Sequence, residues 1–246
     1  MSQDRLDRVA ARLVAARQQG ARISLSASEM PADFEQGFAI QERVVPALKS
    51  PIIGWKVSPV PNGPVIYAPI LEAGRVEANG TWTPVGHEPA GLELEIAFRL
   101  GCSVAPEASA EQVLDAVAAA HVVFELCQSR LVDPARLPRH VALADCIASA
   151  GIVVGPEIAD WRGKDLKARP ARLWVDGSVH VEGRSLDPVG ALLLLAPAMA
   201  RRGLRIEAGQ VVITGSLIGL NWLTGRHVLK GVIDDCGEVA MNLAAA

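Results

Sequence analysis

Cysteine is scarce and scattered: Cys102, Cys127, Cys146 and Cys236 are the only four, and no Cys-x-x-Cys pair occurs. That argues against a disulfide framework or a thiolate metal site and fits reduced core thiols in a cytoplasm. Basic runs are also missing, and the formal net charge is only −3. Neither a nucleic-acid partner nor an anionic membrane surface is expected from such a balance. No long apolar run is present. The greasiest stretch, Ala191 to Met199, contains Pro197 and is too short to span a bilayer. The first residues, Met-Ser-Gln-Asp-Arg-Leu-Asp-Arg, lack the apolar core of a signal peptide. No Gly-x-x-x-x-Gly-Lys phosphate loop occurs. The five histidines, His87, His121, His140, His180 and His227, are isolated in sequence, so no His/Cys set competes for zinc.

What is present is a chain of 246 residues, half of them apolar, which is enough to bury a core unaided. Leu6, Val9, Ala10, Leu13 and Val14 recur at helical spacing over 4–18. A second helix is expected from Pro31 to Leu48. Short β-rich runs follow at Ile52–Val57, Pro64–Ile70 and Leu92–Leu100. Residues 110–120 read as a helix leading into the apolar run His121–Cys127. Further strands are expected at Ile152–Gly155, Ala171–Val175, Gln210–Thr214, His227–Ile233 and Glu238–Leu243, with a helix over Pro188–Arg202. There is no internal repeat and no linker.

Four segments carry chemistry. In Gly91-Leu92-Glu93-Leu94-Glu95-Ile96-Ala97-Phe98 a strand puts Glu93 and Glu95 on one face, roughly 7 Å apart. They either converge on one ion or line a solvated outer face. In His121–Cys127, Glu125 interrupts an apolar run, where a carboxylate is costly unless paired or bound to metal; Arg130 is the alternative partner. Three glutamates offer oxygen donors suited to Mg²⁺ or Mn²⁺. In Gly54-Trp55-Lys56-Val57-Ser58, Lys56 either covers apolar surface with its stem or serves proton transfer beside a metal. In Val211–Ser216, a strand ends in a small-residue turn that is either a plain turn or a holder of a carboxylate through its N–H groups.

In this order, these segments resemble the hydratase/decarboxylase branch of the fumarylacetoacetate hydrolase superfamily over nearly the whole chain. Phe38-Ala39-Ile40-Gln41 is similar to the branch's Tyr-x-x-Gln segment, Gly54-Trp55-Lys56-Val57 to its lysine run, and Glu93-Leu94-Glu95-Ile96-Ala97-Phe98 to its Glu-x-Glu-Ile-Ala-Phe motif. Glu125 to Arg130 resembles its Glu-x-x-x-Ser-Arg segment, Leu143-Ala144-Asp145-Cys146 its Ala-Asp-Asn-Ala-Ser run, and Ala208 to Ser216 its Gly-Asp-Val-Val-Leu-Thr-Gly-Ser strand. The chain departs from the pattern at Cys146, Ile147 and Gln210. The family's aspartate between the lysine and the Glu-x-Glu strand has no clear counterpart in Ser58–Glu72, and Leu223-Thr224-Gly225-Arg226 replaces a proline-Gly-Asp turn.

The resemblance implies an α+β fold, a mixed β-roll spanning 51–246 with a helical region over 1–50, all in one catalytic domain. It implies that Glu93, Glu95 and Glu125 bind Mg²⁺ or Mn²⁺, that Lys56 is catalytic, and that Gly215, Ser216 and Asp145 bind substrate. The implied activity is hydration of a 2-hydroxy-2,4-dienoate or 2-oxo acid in catabolism of aromatic compounds. Decarboxylation like that of 4-oxalocrotonate decarboxylase, acylpyruvate hydrolysis, or a non-catalytic partner role are the alternatives. A homo-oligomer is expected, with association with a related pathway enzyme as an option.

Overall fold

A computed structural model describes residues Met1–Ala246. Five helices and thirteen strands follow in chain order. The helices are α1 (Gln3–Gln19), α2 (Phe34–Ala47), α3 (Ala110–Asp115), α4 (Arg139–Ala144) and α5 (Pro188–Ala200). The strands are β1 (Ile52–Pro59), β2 (Val65–Leu71), β3 (Arg75–Val76), β4 (Thr81–Trp82), β5 (Ala90–Leu100), β6 (Val117–Cys127), β7 (Ser149–Glu157), β8 (Pro170–Val175), β9 (Ser178–Arg184), β10 (Val211–Ile213), β11 (Asn221–Leu223), β12 (His227–Ile233) and β13 (Gly237–Leu243).

Local chemistry sets the helix ends. Asp33 accepts from the Gln36 N–H at 2.8 Å and starts α2 three residues after Pro31. Ser109 and Gln112 form a reciprocal cap on α3. Gly20, at φ 61°, ends α1. The expected helix over 110–120 stops at Asp115. Val117 to Ala120 instead extend β6, because their backbone joins the antiparallel ladder with Leu100, Arg99 and Phe98 of β5. Pairing there outweighs the helix preference of alanine. Strands β9 and β11 and helix α4 had no strong periodic signal. No helix is long and apolar enough to cross a membrane.

Eight strands form the main sheet, ordered β2-β1-β10-β5-β6-β7-β3, with β11 added on β5. The β1–β10 and β3–β7 pairs are parallel and the others antiparallel. The two ends of this path, β2 and β3, are joined only by Glu72–Gly74. So short a link forces the sheet to curl back on itself. The Ser149 hydroxyl of β7 ties the seam by donating to the Pro69 carbonyl of β2 at 3.2 Å. The result is the mixed β-roll of the expected α+β class.

The second sheet, β4-β13-β12-β8-β9, packs on one face of the roll. The sheets approach closely at Gly231 of β12, where an added Cβ would lie 2.5 Å from Leu94 and 2.8 Å from Phe124. One large core holds Leu92, Leu94, Ile96 and Phe98 of β5 with Leu126 and Phe124 of β6, and reaches the buried faces of α1 and α2. The opposite face of β5 and β6 has its own small cluster, including Ala97, Val123, Ile152 and Ile213. Both faces of these strands are therefore buried, which is why His121–Cys127 reads as a nearly unbroken apolar run.

Candidate metal centre

The face carrying the small cluster also carries the polar residues. Alternation along β5 brings Gly91, Glu93, Glu95 and Ala97 to it. Antiparallel pairing sets Glu93 directly opposite Glu125 and Glu95 opposite Val123. Lys56 arrives from β1, next to Ile213 of β10, which is in turn opposite Ala97. Four residues spread over 70 positions thus meet on one surface. It is not a solvated outer face: Glu95 is 2% exposed, Glu125 0% and Lys56 5%.

The Lys56 ammonium donates to Oε1 of Glu125 and, at 3.1 Å, to the Ile147 carbonyl. Glu125 Oε2 is buried and has no hydrogen-bond partner. Glu95 Oε2 accepts from the Gly215 N–H at 2.7 Å. Oxygen atoms of Glu93 and Glu125 and the sulfur of Cys127 all lie within 4.8 Å of one another.

Electrostatics follow from burial. Desolvation, then the neighbouring Glu125 and Glu93, push the Glu95 carboxyl well above the usual range. Desolvation also lifts Glu125, to about 7, against the pull of Lys56. Burial alone would lower Lys56, but Glu125, Cys127 and Glu93 outweigh it and the ammonium is held charged. Fully ionised, three carboxylates against one ammonium would leave two negative charges, and burial resists that state by raising the Glu95 and Glu125 carboxyls. A divalent cation fits that deficit and the orphaned Glu125 oxygen, and the carboxylate-rich donors suit a hard ion.

The turn that supplies the Ile147 carbonyl is unusual. Cys146, Ile147 and Ala148 all have left-handed backbones, with φ of 50°, 51° and 60°. For β-branched Ile147 this is a costly conformation. It is fixed from below by a buried ion pair. Asp145 accepts from Arg130 Nε at 2.6 Å, from the Arg130 N–H at 3.0 Å and from the Ser129 hydroxyl at 2.9 Å, and is 2% exposed. Asp145, expected to bind substrate, has its carboxylate hydrogen-bonded by Arg130 and Ser129 in this structure. Arg130 does not pair with Glu125.

The Gly215–Ser216 turn follows β10 beside Glu95. Its geometry differs from a simple carboxylate cradle: the Gly215 N–H is taken by Glu95, and the Ser216 hydroxyl donates to the Gly219 carbonyl at 3.0 Å. His87 and Glu88 lie on the loop before β5. Glu88 accepts from the Gly225 N–H at 3.0 Å, and His87 Nδ1 is buried without a partner. Cys127 joined the site without any motif to announce it. Its signal was only its place two residues beyond Glu125 on a strand.

A family model, fumarylacetoacetate (FAA) hydrolase C-terminal, matches residues 50–242. No curated protein matches the chain. Among solved structures, 4-oxalocrotonate decarboxylase from Pseudomonas putida G7, complexed with magnesium and adipate, superposes with a TM-score of 0.87 at 17% identity, covering 99% of this chain and 98% of that one. The same enzyme with calcium and acetate gives 0.86 at 18% identity, covering 99% and 98%. The 5-carboxymethyl-2-hydroxymuconate delta-isomerase from Mycobacterium smegmatis gives 0.60 at 14% identity, covering 80% and 81%. At these identities the likeness is one of fold.

Proposed function

The chain belongs to the fumarylacetoacetate hydrolase family, and from that premise we propose that it is a divalent-metal-dependent lyase acting on 2-oxo acids or their 2-hydroxy-2,4-dienoate tautomers. The observation that carries this is the cluster of buried Glu95, Glu125 and Lys56 with half-buried Glu93 and its unpartnered Glu125 Oε2. In this reading the three glutamates hold Mg²⁺ or Mn²⁺. A divalent ion in that position supplies Lewis acidity that favours the enolate form of a 2-oxo acid.

The protein's own residues do the rest. Glu125 and the Ile147 carbonyl aim the Lys56 ammonium, which orients the substrate's 2-oxygen and moves a proton between that oxygen and the conjugated carbon chain. The Gly215 N–H fixes Glu95, and the Gly215–Ser216 turn borders the substrate carboxylate. Packing of Val123, Ile152 and Ile213 on the same face excludes water and strengthens these interactions. Hydration of a dienoate is the first reading: the chain takes up a proton and water adds at its far end. Decarboxylation is the second. It is supported by superposition of the whole chain, helical N-terminal region included, on 4-oxalocrotonate decarboxylase. It also demands less of the site, since no group has to orient an attacking water. Cytoplasmic residence, a homo-oligomeric assembly and a role in aromatic catabolism belong to the same proposal.

The test is calorimetric titration of Mn²⁺ into metal-stripped protein, with and without oxalate as an enolate mimic, for wild type and Glu125→Gln. Binding that oxalate strengthens and the substitution removes is expected. No binding to wild type sinks the proposal. Turnover assays then separate the two readings: CO₂ release marks decarboxylation, and a 4-hydroxy-2-oxo acid product marks hydration.

A further inference from the structure

We propose that Cys127 is an additional donor of the metal centre and turns it from Mg²⁺ toward thiophilic divalent ions such as Zn²⁺, Co²⁺ or Fe²⁺. This rests on the reading of the cluster as a metal site. Strand β6 places Cys127 on the same face as Glu125, two residues further on. Its sulfur lies 3.6 Å from Glu93 Oε2. Metal–ligand bonds of about 2.0–2.3 Å separate two donors of one ion by up to about 4.5 Å. The 4.8 Å limit that encloses the Glu93, Glu125 and Cys127 donor atoms is close to that span. Glu95 is not part of this triplet; its Oε2 is occupied by the Gly215 N–H.

A second, independent observation is the buried Glu125 Oε2 without a partner, in a side chain 0% exposed. It marks where a cation is wanted, and the thiol is a further donor within reach of the Glu93 and Glu125 carboxylates. The strand opposite makes room for it. Cys127 pairs with Gly91, where an added Cβ would lie 2.8 Å from the Cys127 Cβ. None of the other three cysteines joins a metal-competent group. A mixed sulfur and carboxylate set suits borderline ions, and the affinity order for divalent metals favours them further; Mg²⁺ gains little from sulfur.

Co²⁺ titration of the metal-stripped full chain, followed by absorption, tests this. Wild type is expected to show cobalt ligand-field bands together with a near-ultraviolet sulfur-to-cobalt charge-transfer band. Cys127→Ser and Cys127→Ala, checked for folding by circular dichroism, are expected to keep the ligand-field bands and lose the charge-transfer band. Their Zn²⁺ affinity is expected to fall on the order of tenfold or more, with Mg²⁺ affinity little changed. Ligand-field bands in wild type without the charge-transfer band overturn the role of Cys127 and leave the metal reading standing. No Co²⁺ binding by wild type overturns both. The wild-type spectrum decides this even if neither variant folds.

Discussion

The Nζ of Lys56 donates to Oε1 of Glu125, 69 residues further along the chain, and both groups are almost wholly shielded from water. The pair is more consequential broken than whole. Deleting one partner of a buried ion pair typically costs about 3–5 kcal/mol, because the other charge is left uncompensated. Lys56→Met is therefore expected to destabilise the metal-free protein by that order, as read by urea unfolding. The Lys56→Met/Glu125→Gln double variant is expected to recover part of the loss, since no charge is stranded. Lys56→Ala is expected to abolish turnover. A Lys56→Met protein as stable as wild type would contradict the pairing.

Metal linkage follows from the same cluster. An ion that binds only the folded state adds about 2.7 kcal/mol of stability at a hundredfold excess over its Kd. Thermal unfolding of wild type is expected to move upward with Mn²⁺ and to return on chelation. Glu93→Gln and Glu125→Gln are each expected to flatten that response, and the metal-free Glu125→Gln protein is expected to melt below wild type, because Lys56 loses its buried counter-charge.

Much of this site was legible in the sequence because strand alternation is a local rule. Glu-Leu-Glu-Ile-Ala-Phe fixed the faces of Glu93 and Glu95, and the apolar run around Glu125 announced a strand covered on both sides. Placing Lys56 beside them rested on resemblance, since that contact depends on β10 inserting between β1 and β5. Local rules gave no access to partners chosen over distance. Arg130 stood nearer Glu125 in sequence but is drawn to Asp145. Cys127 looked like one of four core thiols. The helix expected over 110–120 failed where Val117 to Ala120 joined a ladder with β5. Helix α4 is only six residues long, too short for a periodic signal.

Ala148 closes the left-handed turn that presents Ile147 to Lys56, at φ 60°. A residue with a Cβ is strained there, whereas glycine is not. Ala148→Gly is expected to stabilise the protein by about 1 kcal/mol, measured by chemical denaturation, after allowing for the greater freedom of glycine in the unfolded chain. The control is Ala142→Gly within α4, where helical backbone makes the same exchange unfavourable by roughly 0.5–1 kcal/mol. Opposite signs for two alanines six residues apart isolate the backbone effect from the loss of a methyl group. Loss of stability in both would show that Ala148 is not strained.

His227, at the start of β12, provides a titration far from the glutamates. Nδ1 lies 2.7 Å from Asp176 Oδ2 and Nε2 lies 2.9 Å from the Thr224 carbonyl. Both ring nitrogens face oxygen acceptors, so the arrangement favours the doubly protonated ring. The hydrogen bond to Asp176 comes first in raising the His227 pKa, with burial opposing it; the bond from His227 comes first in lowering that of Asp176, followed by the Val228 N–H. A raised histidine pKa stabilises the fold fully below its ordinary value of 6.5, and the benefit is lost as pH rises through the higher folded value. The depressed Asp176 contributes above its ordinary 3.8, and its share is lost as pH falls through the lower folded value. The stability difference between wild type and Asp176→Asn is thus expected to be widest between those two values and to shrink as pH climbs past the histidine transition. Urea unfolding across a pH series reads this directly, and NMR titration of the ring protons gives the folded pKa. A difference that did not shrink on raising the pH beyond neutrality would mean that the imidazole is neutral in the pair.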